Sequence, residues 1–267
     1  MKRNTGSKIF LGLLFLYLFI PVIATIIFSV STRWDSTILP EGYTLQFYSK
    51  LFSDNRFILS LLRTINVSII TSVVSVIILV PCVYMSVVYY KPLERVFEVF
   101  SIIPFVLPGV ILAVGLIQLY SSSFIKISGT VWILLGAYFI LCLPYMYQSI
   151  RNSFRAIDAL RLTEAALILG CSEFQSFFKV ILPNILKGII SAVLLTISIL
   201  FGEFVLVNLL VGSNYETVQM YLFRALYTDG RLASAVVTIY LAVVLIISYI
   251  TIKLTGKKKQ IVRELEV

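Results

Sequence analysis

Six long apolar runs constrain this chain more than any other feature: Ile9–Val30, Ile65–Tyr89, Val99–Tyr120, Val131–Ile150, Gly188–Val211 and Ala233–Ile252. A membrane span takes about 20 apolar residues, because each rises ~1.5 Å through a hydrocarbon core ~30 Å thick. Within the six runs Glu203 is the one acid or base. Lipid offers the backbone no hydrogen bonds, so each run must satisfy its own amides and is expected to be helical. The sequence therefore predicts an all-α membrane protein, residues 1–267 forming a single transmembrane domain.

Charge supports the same reading. Only 13% of residues are charged, against roughly a quarter in soluble domains. The formal net charge of +9 is of the kind that attracts nucleic acid, but the surplus lies in short loops beside the apolar runs. That is a topology signal, not a phosphate-tracking groove, and no nucleic-acid partner is expected. Lys2, Arg3 and Lys8 precede a first run too long for a secretory h-region, with no small-residue cleavage motif after it, so a retained first helix is predicted.

With the N-terminus placed in the cytoplasm, Lys and Arg favour the cytoplasmic segments by about two to one, the sign of both termini lying inside. Residues 31–63 and 212–232 then lie outside, the first with a short helix over Thr44–Phe52 whose apolar face, Leu45, Tyr48 and Phe52, lies at the membrane surface or, the blander reading, packs on the bundle. Residues 151–187 form the longest cytoplasmic loop.

Several chemistries are absent. The chain has no histidine, which removes histidine bases, Ser-His-Asp triads and HExxH metal sites. Cys82, Cys142 and Cys171 form no CxxC pair and read as small hydrophobes, so no metal is predicted. Gly256-Lys257 lacks the remaining residues of a phosphate-binding P-loop. No cofactor is expected on this chain, and it is not expected to be an enzyme.

The cytoplasmic loop carries the sharpest pattern, EAALILGCSEFQSFFKVILP over residues 164–183. Helix formers from Leu162 to Leu169 stop at Gly170, which tolerates a left-handed conformation. Ser172 and Gln175 have capping-box spacing and would start a second short helix. Phe174, Phe177 and Phe178 give that helix a greasy face, and Pro183 precedes the fifth run. The pattern resembles the EAA loop of ABC importer permeases: Glu164, Ala165, Ala166, Gly170, Leu182 and Pro183 stand at the family's spacing, with Val180 in place of its isoleucine.

The resemblance implies a type I ABC importer permease-like bundle of six spans with a cytoplasmic coupling helix, in a bacterial inner membrane. It implies an ABC ATPase dimer that binds ATP and Mg, a second permease subunit and an extracytoplasmic solute-binding protein as partners. Glu164, Ala165, Ala166, Gly170, Ser172, Phe177 and Pro183 become the ATPase-coupling residues. Small Ala165 and Ala166 would admit the partner closely.

A translocation path is read from polar and broken positions. An acid at the depth of Glu203 belongs in the bundle interior or on a water-filled path, and Gly202 beside it leaves room. Two readings stand: a cation path, or a structural partner for an arginine or tyrosine elsewhere in the assembly. In the third run Pro104, Pro108 and Gly109 imply a kink with freed carbonyls. The GEF triplet at 202–204 and the P-x-x-x-P-G pattern resemble the spermidine/putrescine, ferric iron and phosphonate branch, which points to a small charged solute, polyamine-like first. Asn208, Tyr138, Tyr145, Tyr147 and Gln148 are further polar candidates for the wall, although tyrosines near span ends are more often interfacial belt residues. An ion-coupled secondary transporter is the alternative, but it would call for internal inverted repeats.

Overall fold

The structure, a computed structural model, describes residues 5–34, 37–121 and 126–256. The basic tail over 257–263 and the first basic residues, Lys2 and Arg3, lie outside them. Every described residue in a regular element is helical: α1 (Thr5–Ser29), α2 (Gln46–Ser53), α3 (Asn55–Val88), α4 (Lys91–Val106), α5 (Gly109–Ser121), α6 (Val131–Ala156), α7 (Ala159–Ile168), α8 (Glu173–Gln175), α9 (Leu182–Phe201), α10 (Val205–Leu210), α11 (Val218–Leu226) and α12 (Gly230–Gly256). A π-helical stretch, Ser176–Ile181, fuses α8 and α9 into one rod over Glu173–Phe201.

Among the described residues five helices are long and apolar enough to cross a membrane, and α4 with α5 makes a sixth span if that bent pair counts as one. Two of the predicted runs are broken. The run over Val99–Tyr120 bends by 102° between α4 and α5. The run over Gly188–Val211 is interrupted at Gly202–Phe204, between α9 and α10. Hydropathy registers only that such segments suit lipid, so a break whose amides are satisfied inside the protein leaves it unchanged.

The chain divides into two compact units. The first comprises residues 1–59 and 221–243. Every side chain of α1 from Phe10 to Ile20 is exposed, as in a helix whose solvent is lipid or another chain. The predicted Thr44–Phe52 helix is shifted to Gln46–Ser53, and its buried face is Phe47 and Leu51; Leu45 and Phe52 are exposed. Period 3.6 admits either face, and tertiary packing chooses. Tyr48 pairs with Ser29 (Oη···Oγ 2.7 Å), and the Tyr221 hydroxyl donates to Asp54 (2.8 Å).

The second unit, residues 60–220 and 244–267, holds a core built around α6, with Leu134, Cys142, Met146, Ile150 and Phe154 fully buried. The helices α6 and α9 pack closely. Their approach depends on Gly188, where a Cβ would lie 1.8 Å from the Ser153 Oγ.

Candidate functional site

Between α6 and α9 the chain builds a helical hairpin whose joints are individually satisfied. Asp158 opens α7 in a left-handed conformation, φ 47°, and pairs with exposed Arg161 at 3.2 Å. At the other end Gly170 adopts φ +87°. Its amide donates to Leu167 O at 2.9 Å and the Cys171 amide to Ala166 O at 3.1 Å. These two bonds are a Schellman motif, which needs a left-handed residue where Gly170 stands. Two residues on, the capping box is complete: the Gln175 amide donates to Ser172 Oγ and the Ser172 amide to Gln175 Oε1, both at 3.3 Å.

The hairpin is anchored inward by aromatic packing. The Phe177 ring lies 4.8 Å from that of Tyr84 at the end of α3, and the Tyr84 hydroxyl is 3.4 Å from Thr163 Oγ1. Ala159, Thr163 and Ala166 are buried, whereas Glu164 and Ala165 face outward. Of the two motif alanines, then, Ala166 serves the packing of this chain on itself and Ala165 is open to a partner. The outer rim is apolar: Ile168 is 86%, Leu169 84% and Phe174 72% exposed, with the Phe174 and Phe178 rings 4.4 Å apart and tilted by 43°. Pro183 is exposed in the first turn of α9.

The residues read as path-lining gather at the two breaks. Ile111 and Leu112 amides start α5 on the carbonyl of Pro108. Gly109 stands beside α10, where a Cβ would lie 3.7 Å from Val205 Cγ1. That is ordinary contact, so the approach itself does not demand glycine. At the other break Glu203 accepts from the Leu206 amide (3.0 and 3.1 Å) and the Val207 amide (3.3 Å). A carboxylate on the free amides of a helix start also complements its dipole. The carbonyl of Phe201, freed where α9 stops, accepts from Gln219 Nε2 at 3.1 Å. Glu203 is thus engaged by the backbone at the start of its own next helix, a partner that neither sequence reading named. Gly202 and Asn208 are exposed. Tyr138 and Tyr147 are 2% exposed and belong to the interior. An open groove of about 520 Å³ between α6 and α9 is lined by Ser149, Asn152, Ser153, Lys187 and Ser191. Among the described residues no cluster of three His, Cys, Asp or Glu side chains could hold a metal ion.

One cluster escaped the sequence reading. Arg151, buried at the end of α6, forks onto Glu98 of α4 (2.9 and 3.0 Å). Its Nε donates to Glu94 at 2.6 Å, and Arg155 reaches the same carboxylate at 2.8 Å. The Tyr147 hydroxyl donates to the Glu94 carbonyl at 3.0 Å. Burial opposes the charge on Glu94, but the hydrogen bond and charge of Arg151, with Arg155 behind it, outweigh it and hold the carboxyl below its ordinary value of 4.5. The signal was present: acids at 94 and 98 and arginines at 151 and 155 share the helical i, i+4 spacing that puts each pair on one face.

Comparison with known proteins covers nearly the whole molecule. A family described as "Binding-protein-dependent transport system inner membrane component" matches residues 72–260. The spermidine/putrescine transport system permease protein PotC of Haemophilus influenzae is 27% identical over 95% of this chain and 99% of its own. A putative 2-aminoethylphosphonate transport system permease protein, PhnV of Salmonella paratyphi A, is 22% identical over 99% of this chain and 97% of its own. Among solved structures, a chain of a bacterial ABC transporter that imports the acidic polysaccharide alginate superposes with a TM-score of 0.71 at 21% identity, covering 93% of this chain and 94% of that one. A chain of the MetNI methionine ABC transporter gives 0.55 at 17% identity, covering 75% and 96%.

Proposed function

This chain belongs to the family of binding-protein-dependent transport system inner membrane components, and from that premise we propose how its surfaces divide the work of import. It is a multi-pass permease component of an ABC importer and not an enzyme. The hairpin Ala159–Gln175 is the docking surface for a separate ATPase dimer, which supplies ATP and Mg. The observation that carries this assignment is the rim of Ile168, Leu169 and Phe174 on a doubly capped, rigid hairpin. Large apolar side chains held out on a stiff mount mark a protein interface. Glu164 and Ala165 share its outer face, while Gly170, Ser172 and Phe177 fix its shape, and Pro183 starts the span that follows.

The hairpin then lies in the cytoplasm of a bacterial cell, and the bias of Lys and Arg supports both termini lying there too. Residues 31–63 and 212–232 face outward, where a solute-binding protein docks. A second permease subunit completes the path. The lining contributed by this chain is the pair of breaks, with Pro108, Gly109, Gly202, Glu203 and Asn208. Polyamines and 2-aminoethylphosphonate share a protonated amine, and Glu203 keeps carboxylate lone pairs beyond those its backbone donors use. A small solute carrying an ammonium group, polyamine-like first and an aminophosphonate next, is accordingly the first substrate class, with iron after it.

Purification of the tagged chain in mild detergent, as wild type and as Gly170→Asp, tests the assignment. A nucleotide-binding ATPase should co-elute with the wild type and be lost from the variant. A wild-type chain eluting alone, under conditions that preserve other ABC complexes, would refute it in favour of ion-coupled transport.

A further inference from the structure

The hairpin is joined to the span breaks by more than the chain itself. Arg151 stands at the root of the hairpin, seven residues before Asp158 opens α7, and it is buried and committed at every nitrogen of its fork. Its partners, Glu94 and Glu98, occupy the first two turns of α4. Two points of attachment one turn apart stop that helix from rotating as well as from sliding. Two carboxylates meet two guanidinium groups, so the cluster is neutral and its charges are mutually compensated. From the clamp α4 runs as one helix to Val106. It ends at the 102° bend, where α5 begins against α10, the helix that Glu203 caps. Clamp, rod and paired breaks thus follow one another inside a single compact unit.

We propose that Arg151 is a positioning residue for energy coupling: by holding Glu94 and Glu98 it makes α4 move with the hairpin and carry that movement to the breaks at residues 107–108 and 202–204. The proposal rests on the hairpin being the ATPase docking surface. It requires the planar fork, because an ammonium is a point charge and cannot hold Glu98 through two parallel bonds while also bonding Glu94.

The test uses the full complex with its ATPase and binding protein in proteoliposomes, measuring ATP hydrolysed per solute imported. Arg151→Lys and Glu98→Gln keep most of the packing and should keep the ATPase bound and turning over. Their ratio of hydrolysis to import should rise by about threefold or more, the scale on which residues along a coupling route act. The exchanged pair Arg151→Glu with Glu98→Arg should bring the ratio part of the way back. Hydrolysis and import falling in parallel, with the ratio unchanged, would show a merely structural role and overturn the proposal. So would a wild-type ratio in Arg151→Lys and Glu98→Gln. Failure of the docking reading would look different, since the ATPase would then be missing from the wild-type complex.

Discussion

Replacing Gly188 by alanine should pry α6 and α9 apart, and the geometry says by how much. A Cβ on residue 188 would lie 1.8 Å from Ser153 Oγ, 2.7 Å from Ser153 Cβ and 3.8 Å from Ser153 Cα. Rotating the serine hydroxyl removes the first clash, at the expense of its 2.8 Å bond to the Ser149 carbonyl. The second clash stays, because a Cβ is fixed to its backbone. Carbon atoms rest about 3.5–4 Å apart, so the helices must separate by roughly 1 Å. Overpacking of that kind costs about 1–3 kcal/mol, partly offset by up to about 1 kcal/mol from the better helix propensity of alanine. Gly188→Ala should therefore lower the apparent melting temperature in detergent. Ser153→Gly removes the offending carbon and costs about 0.5 kcal/mol of helix propensity on its own. Combined with Gly188→Ala it should recover most of the loss, a coupling that the double-mutant cycle reads directly. A Gly188→Ala protein that melts with the wild type, or a double variant no better than the sum of its parts, would refute the close-packing argument.

Other perturbations separate the remaining joints. Ser172→Ala removes a cap worth about 1 kcal/mol and should weaken ATPase retention on a size-exclusion column without changing the yield of the chain. Glu203→Gln keeps one carbonyl to cap α10 and should preserve thermal stability while reducing import of an ammonium solute. Glu203→Ala should lose both, the freed amides costing about 1–2 kcal/mol. Gly109→Ala meets only a 3.7 Å contact and should melt as the wild type does. Glu94 titrates below its ordinary 4.5 when folded, so its contribution is complete at neutral pH and lost as pH falls through that lowered value. The stability difference between wild type and Glu94→Gln should accordingly be flat above about pH 5 and shrink in acid, as thermal scans across pH would show.

The hairpin was legible almost bond by bond because it is built from short-range signals. Gly170 and the S-x-x-Q spacing of Ser172 and Gln175 each specify a local conformation, and each is observed. What lay beyond local pattern was the side of a helix that tertiary packing would choose. Ala165 and Ala166 are equivalent in sequence, yet one is open and the other buried. Phe47 and Leu51 displaced the face that periodicity suggested for α2. The Arg151 cluster joins residues more than 50 positions apart, and hydropathy treats its members only as charges at span ends.

Glu203 shows why an intramembrane charge in a sequence admits two answers at once. An acid in an apolar run is costly unless something compensates it, and the usual inference is that function pays for it. Here compensation is structural: the amides of Leu206 and Val207 are unpaired because Gly202 and Phe204 interrupt the helix, and the carboxylate satisfies them. The break and the acid therefore explain each other, and neither requires a solute. Yet the same cap holds the carboxylate in a fixed place at the start of α10, next in sequence to the exposed Gly202, and α10 is the helix whose Val205 stands against Gly109 at the other break. A residue already held in place by structure is better preorganised for a passing cation than one that must be immobilised on binding. The structural role is thus a condition for the transport role and not a competitor to it. That is why the glutamine and alanine variants at position 203 should part company: one removes the charge from an intact cap, and the other dismantles the cap that holds the charge.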